Sequence, residues 1–440
     1  MASTSQSVVS LPVVLTTRTQ YPLPSQKIMI PSTWKRYQLS QLVNKTLSLP
    51  RVVPFDFLIH GEILKGSLGE WCAEKGLGVE QTLEIEYIES IMPPQQMSSI
   101  PHEDWVSSIS CQLPGHFLTA SYDGNLRIFD YSQKLLHSAA VHAAPITSFC
   151  LIPSASQSPS ERLLATASHD LTATLTRLTT PEASNPSTQA LATLHLHTAP
   201  LISISSHHAG TQLLTASQDG FIGLWDIIVP ENDEVPLAQV ESAERKKRRR
   251  VGDAQKPKRK APQAVLKSHT ARVSKALFAY EEGKAVSSGW DSTIKEWDLE
   301  LGICIHTITA SEKPFTSLAL PAPQSHPKTA IASSTDRTTT LFDLRSTAST
   351  SSSLSFMHPS TPSCLAFAPS AGSQQFVSGA YDGVVRLWDL RSAGREMASF
   401  KVWGGTKKVL DVDWVEDVIG IAGEGGVEVW RVSEDGSAAQ

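Results

Sequence analysis

At 440 residues, with 40% hydrophobic, 18% charged and 7% aromatic residues, the chain is long enough for two or three domains, and its composition excludes a wholly disordered or coiled-coil protein. No stretch approaches the roughly 18 uninterrupted apolar residues of a membrane-spanning helix. The formal charge of −5 is unevenly spread: "RKKRRR" (245–250) and "KPKRK" (256–260) hold ten of the 38 basic residues, leaving 28 against 43 acidic ones elsewhere.

The chain opens on "SVVSLPVVL" (7–15), which lacks a basic flank and is broken by Pro12, so it reads as a strand and not as a signal peptide. "VVLTTRT" (13–19) and "KIMIP" (27–31) read as strands across a Pro-bearing turn. "KRYQLSQLVNKTL" (35–47) carries Tyr37, Leu39, Leu42, Val43 and Leu47 at helical spacing. "PFDFLIHG" and "EILKGS" form a hairpin, "SLGEWCAEKG" a short helical turn, and "QTLEIEYIE" (81–89) a closing strand. This order, ββαββ-turn-β, resembles a ubiquitin-like grasp, which implies a small α+β ubiquitin-like domain over residues 1–92, with 93–103 as a linker.

From 104 to 434 a repeat takes over. Seven segments align on one template, a strand ending in Ser/Ala-x-Asp-Gly followed by a strand ending near Trp-Asp, from "LTASYDGNLRIFD" (118–130) to "VIGIAGEGGVEVWR" (418–431). Turn aspartates fall at Asp123, Asp170, Asp219, Asp291, Asp336 and Asp382, spaced 47, 49, 72, 45 and 46 apart. A period near 45 with alternating strands suits propeller blades, so the predicted class is mainly β, a seven-bladed propeller. Some copies are degenerate. Blade two has "LTRL" in place of Trp-Asp, blade five has Phe342-Asp343, and blade seven has "GEGG" at the turn. Residues just before Asp104 are expected to complete that last blade.

The long interval holds residues 229–263, rich in Pro, Glu, Lys and Arg, which read as a disordered loop. Its two basic clusters, Arg245, Lys246, Lys247, Arg248, Arg249 and Arg250, then Lys256, Lys258, Arg259 and Lys260, resemble a bipartite nuclear-import signal. The rival reading is a non-specific RNA contact through phosphates; without stacking aromatics, sequence-specific RNA reading is not expected. Residues 435–440 are a tail. The five cysteines are odd in number and lack a CxxC, so neither a disulfide framework nor a metal site is expected.

The repeats resemble the WD-repeat family. In that family a His, the turn Asp and a Ser/Thr form a buried network within a blade. The resemblance assigns this structural role to His142, His197, His269 and His358, which precede Asp170, Asp219, Asp291 and Asp382 by 28, 22, 22 and 24 residues, and to Asp123 and Asp336. Catalysis by such sets is disfavoured: in "SHD" (168–170) neighbouring residues point to opposite faces of a strand.

The ubiquitin-like domain with "PFDFLI", then "EDWVSSI" (103–109), "SYDG" and the basic insert, resembles ribosome-biogenesis WD-repeat factors related to the Notchless group, of the PeBoW-type complex. The resemblance implies a non-catalytic factor of pre-60S assembly and rRNA maturation in the nucleus, nucleolus and nucleoplasm. Its propeller would dock on a WD-propeller scaffold joined by a third subunit. It further implies that a loop glutamate becomes a ligand of the Mg²⁺ in the adhesion site of midasin, an AAA ATPase, the chain having no cofactor of its own. Carried onto "GLGVEQTL", that residue is Glu80, with Glu62, Glu70 and Glu74 as rivals. A substrate adaptor for ubiquitin ligation, a generic nuclear scaffold and a propeller hydrolase are the alternatives.

Overall fold

The computed structural model describes residues 9–19, 21–49, 52–78, 80–90, 93–153, 161–179, 186–235, 256–309, 312–321, 328–345, 354–369, 374–392 and 394–432. The chain divides into two units, Met1–Gln95 with Arg386–Ser399 and Arg431–Gln440, and Gln96–Val385 with Phe400–Trp430.

In the first unit, apolar residues at every second position define strands, and those at three- and four-residue spacing define a helix. The elements are β1 (Ser10–Thr16), β2 (Lys27–Pro31), α1 (Arg36–Leu47), β3 (Phe55–Ile59), β4 (Glu62–Ile63), α2 (Leu68–Lys75) and β5 (Leu83–Glu89). The sheet order is β2-β1-β5-β3-β4, with β1 parallel to β5 (Val13 opposite Leu83) and the other pairs antiparallel. One face of alternating residues, Val13, Leu15, Ile85, Tyr87, Phe55 and Phe57, buries itself with Leu39 and Val43 of α1 and Leu68 of α2. Phe55 meets Tyr21 and Tyr87 edge-on at 5.9 and 5.5 Å, a packing that adds about 1 kcal/mol per pair to area burial. This is the ubiquitin-like fold expected.

Among the described residues seven further sheets follow, each led by an innermost strand: Val106–Ser110, Ile146–Ile152, Leu201–Ser206, Val273–Phe278, Phe315–Ala319, Pro362–Phe367 and Val409–Val415. These seven strands touch one another in sequence, and the last touches the first, so the ring is closed. The chain is a seven-bladed WD-repeat propeller preceded by a ubiquitin-like domain, as the repeat predicts. In every blade the residue before the turn acidic residue, or at its place, donates its N–H to the carbonyl just ahead of the same blade's inner strand. The bonds run from Tyr122, His169, Gln218, Trp290, Thr335, Tyr381 and Glu424 to Trp105, Pro145, Pro200, Arg272, Pro314, Thr361 and Lys408, at 2.9–3.1 Å.

Two expectations need correction. Residues 93–103 are not a plain linker: Gln95–Ile100 forms strand β6, the outer strand of blade seven beside Gly426–Arg431, which bears out the expectation that residues just before Asp104 complete that blade. Blade seven has only three strands of its own, and an unpaired edge would leave a row of backbone donors and acceptors open. Likewise, the segment 229–263 is not disordered throughout. Lys258–Lys260 pairs in parallel with Ala192–Leu194 as a fifth strand on blade two. Glu234 N–H donates to the Arg259 carbonyl at 2.8 Å, and Arg259 N–H to Asp233 at 3.0 Å, which stitches the two ends of the insert together.

The seam between the last and first blades is reinforced by two carboxylates on the inner strand of blade seven. Asp411 accepts from Ser108 Oγ at 2.7 Å and Ile109 N–H at 3.1 Å; Asp413 accepts from Cys111 N–H at 2.8 Å. Burial pushes the Asp413 carboxyl up to about 6, a rise to which the neighbouring Asp411 charge adds, while the Cys111 and Ser110 hydrogen bonds oppose it. A carboxyl raised in the folded state contributes stability at low pH that is lost as pH rises through about 6. Asp413→Asn keeps an acceptor for Cys111 and removes the charge. At pH 7.5 the variant is expected to equal or exceed the parent, by up to about 2 kcal/mol, with the gap closing by pH 4.5; urea midpoints at both pH values check this.

Candidate functional site

The repeated polar residues meet inside the blades. In blade three, His197 Nδ1 lies 3.1 Å from Asp219, its Nε2 lies 2.9 Å from Thr215 Oγ1, and Trp225 Nε1 donates to the same hydroxyl at 2.9 Å. Gly223 makes room for this: a Cβ there would come within 2.7 Å of Trp225 Nε1 and 2.8 Å of Thr215 Oγ1. Blade four repeats the set, with His269 to Asp291 at 2.8 Å, His269 to Ser287 at 2.7 Å and Trp297 to Ser287 at 2.8 Å. In blade two, His142 reaches Asp170 at 2.7 Å and Thr166 at 2.8 Å, with no tryptophan. Each histidine is therefore held at both ring nitrogens by groups of its own blade, so no proton acceptor is left facing a substrate.

The polar residues of the other blades make further bonds. His358 binds Ser378 Oγ at 2.8 Å and the Phe356 carbonyl at 3.1 Å, while Asp382 accepts from Val384 N–H at 3.1 Å. Asp336 accepts from Thr338 N–H at 2.9 Å in the blade that lacks the histidine. In blade one Asp123 pairs with Arg127 and accepts from Asn125 N–H at 2.9 Å. The sequence reading missed that blade's histidine: His102 lies 3.1 Å from Thr119 Oγ1. It precedes Asp123 by 21 residues, one fewer than the offset in blades three and four, so a search allowing one residue of slack would have found it. In "SHD", Ser168 holds the Pro145 carbonyl at 3.0 Å and receives the Asp170 N–H at 3.2 Å, while His169 turns to Tyr122, 6.4 Å between ring centres.

The candidate contact residue on the first unit stands apart. Helix α2 starts on a reciprocal cap, Glu70 N–H to Ser67 Oγ at 3.2 Å and Ser67 N–H to Glu70 Oε2 at 2.9 Å. It ends at Gly76 with φ +67°, a left-handed cap in which Leu77 N–H returns to the Cys72 carbonyl at 3.0 Å. Leu77 then packs on the core, and Gln81 N–H closes a turn to the Gly78 carbonyl at 3.3 Å. Glu80 sits in that turn, exposed, with no hydrogen-bond or ion-pair partner among the described residues. Two rivals have work within the chain. Glu62 holds Lys75 at 2.7 Å, a hydrogen bond that pulls its carboxyl below the usual range. Glu70 is consumed by the cap, and the Ser67 hydrogen bonds lower its carboxyl in the same direction. Glu74 is exposed along α2. Among the described residues no three His, Cys, Asp or Glu side chains gather as a metal site. An isolated carboxylate on a pinned turn is chemically a single hard oxygen donor for a cation held by another molecule.

Of the two basic clusters, 245–250 lies outside the described residues. The second divides. Lys260 is buried and its ammonium contacts the Asp226 carboxylate and the Ile228 carbonyl, so it serves the fold and not a receptor. Burial lowers it to about 8. The single-sequence reading could not see this, because the pairing partner lies some 65 residues upstream.

Comparison with known proteins finds two family models in the chain: the NLE (NUC135) domain at residues 11–72, and the WD domain, G-beta repeat, at 95–130, 188–226, 260–298 and 351–389. The WD matches end on blades one, three, four and six. Similar proteins named Ribosome biogenesis protein YTM1 occur in Laccaria bicolor, at 60% identity over 98% of this chain and 97% of the relative, and in Coprinopsis cinerea, at 54% over 98% and 96%. One from Saccharomyces cerevisiae is 34% identical over 88% of this chain and 89% of its own length.

Proposed function

Since the chain belongs to the family of ribosome biogenesis protein YTM1, we propose that it acts in that process as a non-catalytic assembly factor of the large-subunit precursor. In this reading it works through two binding modules. The propeller docks on a WD-propeller scaffold within a PeBoW-type complex, and the ubiquitin-like domain recruits midasin, whose ATP-driven action releases that complex. The observation that carries the second half is Glu80: an unpartnered carboxylate on a turn fixed by the Gly76 cap and the Gly78–Gln81 bond. Such a group completes the coordination of a Mg²⁺ held by the partner, since that ion favours carboxylate oxygen, and a preordered turn loses little entropy on binding. Non-catalysis is supported by the way the His–Asp sets of blades two to four close on their own Thr or Ser.

Co-sedimentation of the full chain with large-subunit precursors tests the assembly role; a chain that stays at the top of the gradient with free protein would remove it. Nuclear and nucleolar residence is part of the same reading, with 245–250 as the import signal and a non-specific RNA contact as its rival. Deleting 245–250, which spares the Lys258–Lys260 strand, is expected to leave a fluorescent fusion in the cytoplasm. Undiminished nuclear signal would transfer the import role elsewhere.

A further inference from the structure

Helix α1 begins with its charge set against its own dipole. No acidic residue stands in its first turn, and Lys35 and Arg36 open it, so two cations meet the positive end of the helix. Arg36 is used by the fold: its guanidinium holds Asp56 at 2.6 Å and donates to Ser90 Oγ at 2.7 Å. Lys35, Lys45 and Lys65 are exposed, and none of the three has a carboxylate within ion-pair distance among the described residues. Lys45, in the last turn, suits the helix dipole. Lys35 opposes it and makes no ion pair in return.

All four cations border one open groove of about 1030 Å³ between α1 and the segment 52–55, and among the described residues no carboxylate borders it. The far wall is fixed. Asn44 accepts from Val53 N–H at 2.8 Å and donates to the Val53 carbonyl at 2.6 Å, while Ser40 Oγ accepts from Phe55 N–H at 3.1 Å. Tyr37 and Val52, 69% and 82% exposed, are the open apolar side chains of the lining. Outside the two basic clusters the chain holds 28 basic against 43 acidic residues, so a groove bordered by cations alone is a local inversion of charge, complementary to an anion. Glu80 does not border it.

Lys35 and Lys45 are ten positions apart, about 15 Å along a helix axis, which an extended chain spans in about four or five residues. We propose that the groove binds an extended protein segment with two Asp or Glu side chains at about that spacing and an apolar side chain between them. The acids meet Lys35 and Lys45, with Lys65 as a third cation, and the apolar group rests on Tyr37 and Val52. A carboxylate at Lys35 also answers the unbalanced helix dipole, so docking relieves a cost that the free chain carries. RNA fits worse. Tyr37 is the one exposed aromatic ring of the lining, its hydroxyl receives Gln41 Nε2 at 2.7 Å, and Val52 offers no plane on which a base can stack. The inference rests neither on midasin recruitment through Glu80 nor on docking of the propeller.

The test places a photo-crosslinking residue at Tyr37 of the full chain in cells. Met29 on β2, exposed and outside the groove, is the control position. Tyr37 is expected to capture one protein segment with the acidic, apolar, acidic pattern, identified by mass spectrometry, that Met29 does not capture. Made as a fluorescent peptide, that segment should bind the purified chain. Lys35→Glu combined with Lys45→Glu should weaken binding about tenfold or more, with the corresponding pair of glutamines losing less. One of those changes favours the helix dipole and the other opposes it, so the melting temperature should stay near the parent's. Glu80→Ala should bind the peptide as the parent does, and the groove variants should keep Mg²⁺-dependent midasin binding, so either reading can fail without the other. Capture of RNA, of a second copy or of nothing overturns the proposal, as does a peptide affinity indifferent to the charge reversal. Capture lost after phosphatase treatment would assign the anion to phosphate and overturn the carboxylate pattern.

Discussion

Glu80→Ala is expected to abolish Mg²⁺-dependent binding of the full chain to midasin, by roughly a hundredfold or more, while leaving the melting temperature unchanged. The side chain is exposed and has no hydrogen bond or ion pair among the described residues, so truncation removes none of these, and the loss is expected at the interface. Glu80→Gln separates charge from shape. It keeps the length and one carbonyl oxygen but donates no negative charge to the ion, so it should fail almost as completely as alanine. Glu74→Ala, one exposed carboxylate away on α2, should bind as the parent does. Chelation of Mg²⁺ should reproduce the Glu80→Ala loss and add nothing to it. Titration by isothermal calorimetry with the isolated adhesion-site domain measures all four arms. Equal affinity of parent and Glu80→Ala would remove the metal-ligand reading altogether.

The second large effect concerns stability. Asp291→Ala should cost about 3–5 kcal/mol of propeller stability, read as a lowered guanidinium midpoint. The carboxylate serves four donors at once: His269 at 2.8 Å, Thr270 N–H at 3.2 Å, Thr293 N–H at 3.2 Å and Thr293 Oγ1 at 2.7 Å. Without it His269 loses an acceptor in a buried site, and Trp297 then leans on a Ser287 whose other partner has moved. Burial alone would raise the Asp291 carboxyl, but the His269 and Thr293 hydrogen bonds outweigh it and hold the group well below its usual range. A depressed carboxyl contributes stability above its unfolded pKa of about 3.9 and loses it as pH falls further, so the difference between parent and variant should shrink below that pH. Asp336→Ala supplies the contrast. Among the described residues its carboxylate serves only Thr338, near the surface, and its loss should cost under about 1.5 kcal/mol. Equal losses at both sites would mean that the networks are not what holds a blade together.

Legibility followed the range of the interaction. The blade strands recur seven times and the turn aspartates six, and repetition raises a weak local signal above noise. The first unit was readable for the same reason: Leu39 and Val43 at helical spacing, and Leu83, Ile85 and Tyr87 alternating, each declare one buried face. The incomplete last blade called for a strand from the residues before Asp104, but its bounds were not readable because "QQMSSI" has little apolar alternation; only Ser98 and Ile100 are buried, and its identity comes from the edge it meets. Lys258–Lys260 looked disordered because three consecutive basic residues do not favour a strand. A parallel ladder to Ala192–Leu194 and a carboxylate at Asp226 reverse that preference.

Strand β6 joins the ring at blade seven and is also the first covalent stretch of the propeller after the ubiquitin-like domain. Along the backbone, tension applied to that domain arrives at Gln95–Ile100 before any other strand. The seam held by Asp411 and Asp413 lies at the opposite, inner edge of the same blade, with the strands Val418–Gly423 and Gly426–Arg431 in between. Load entering at β6 therefore has to cross the whole sheet of blade seven before it reaches the carboxylates that hold that sheet to blade one.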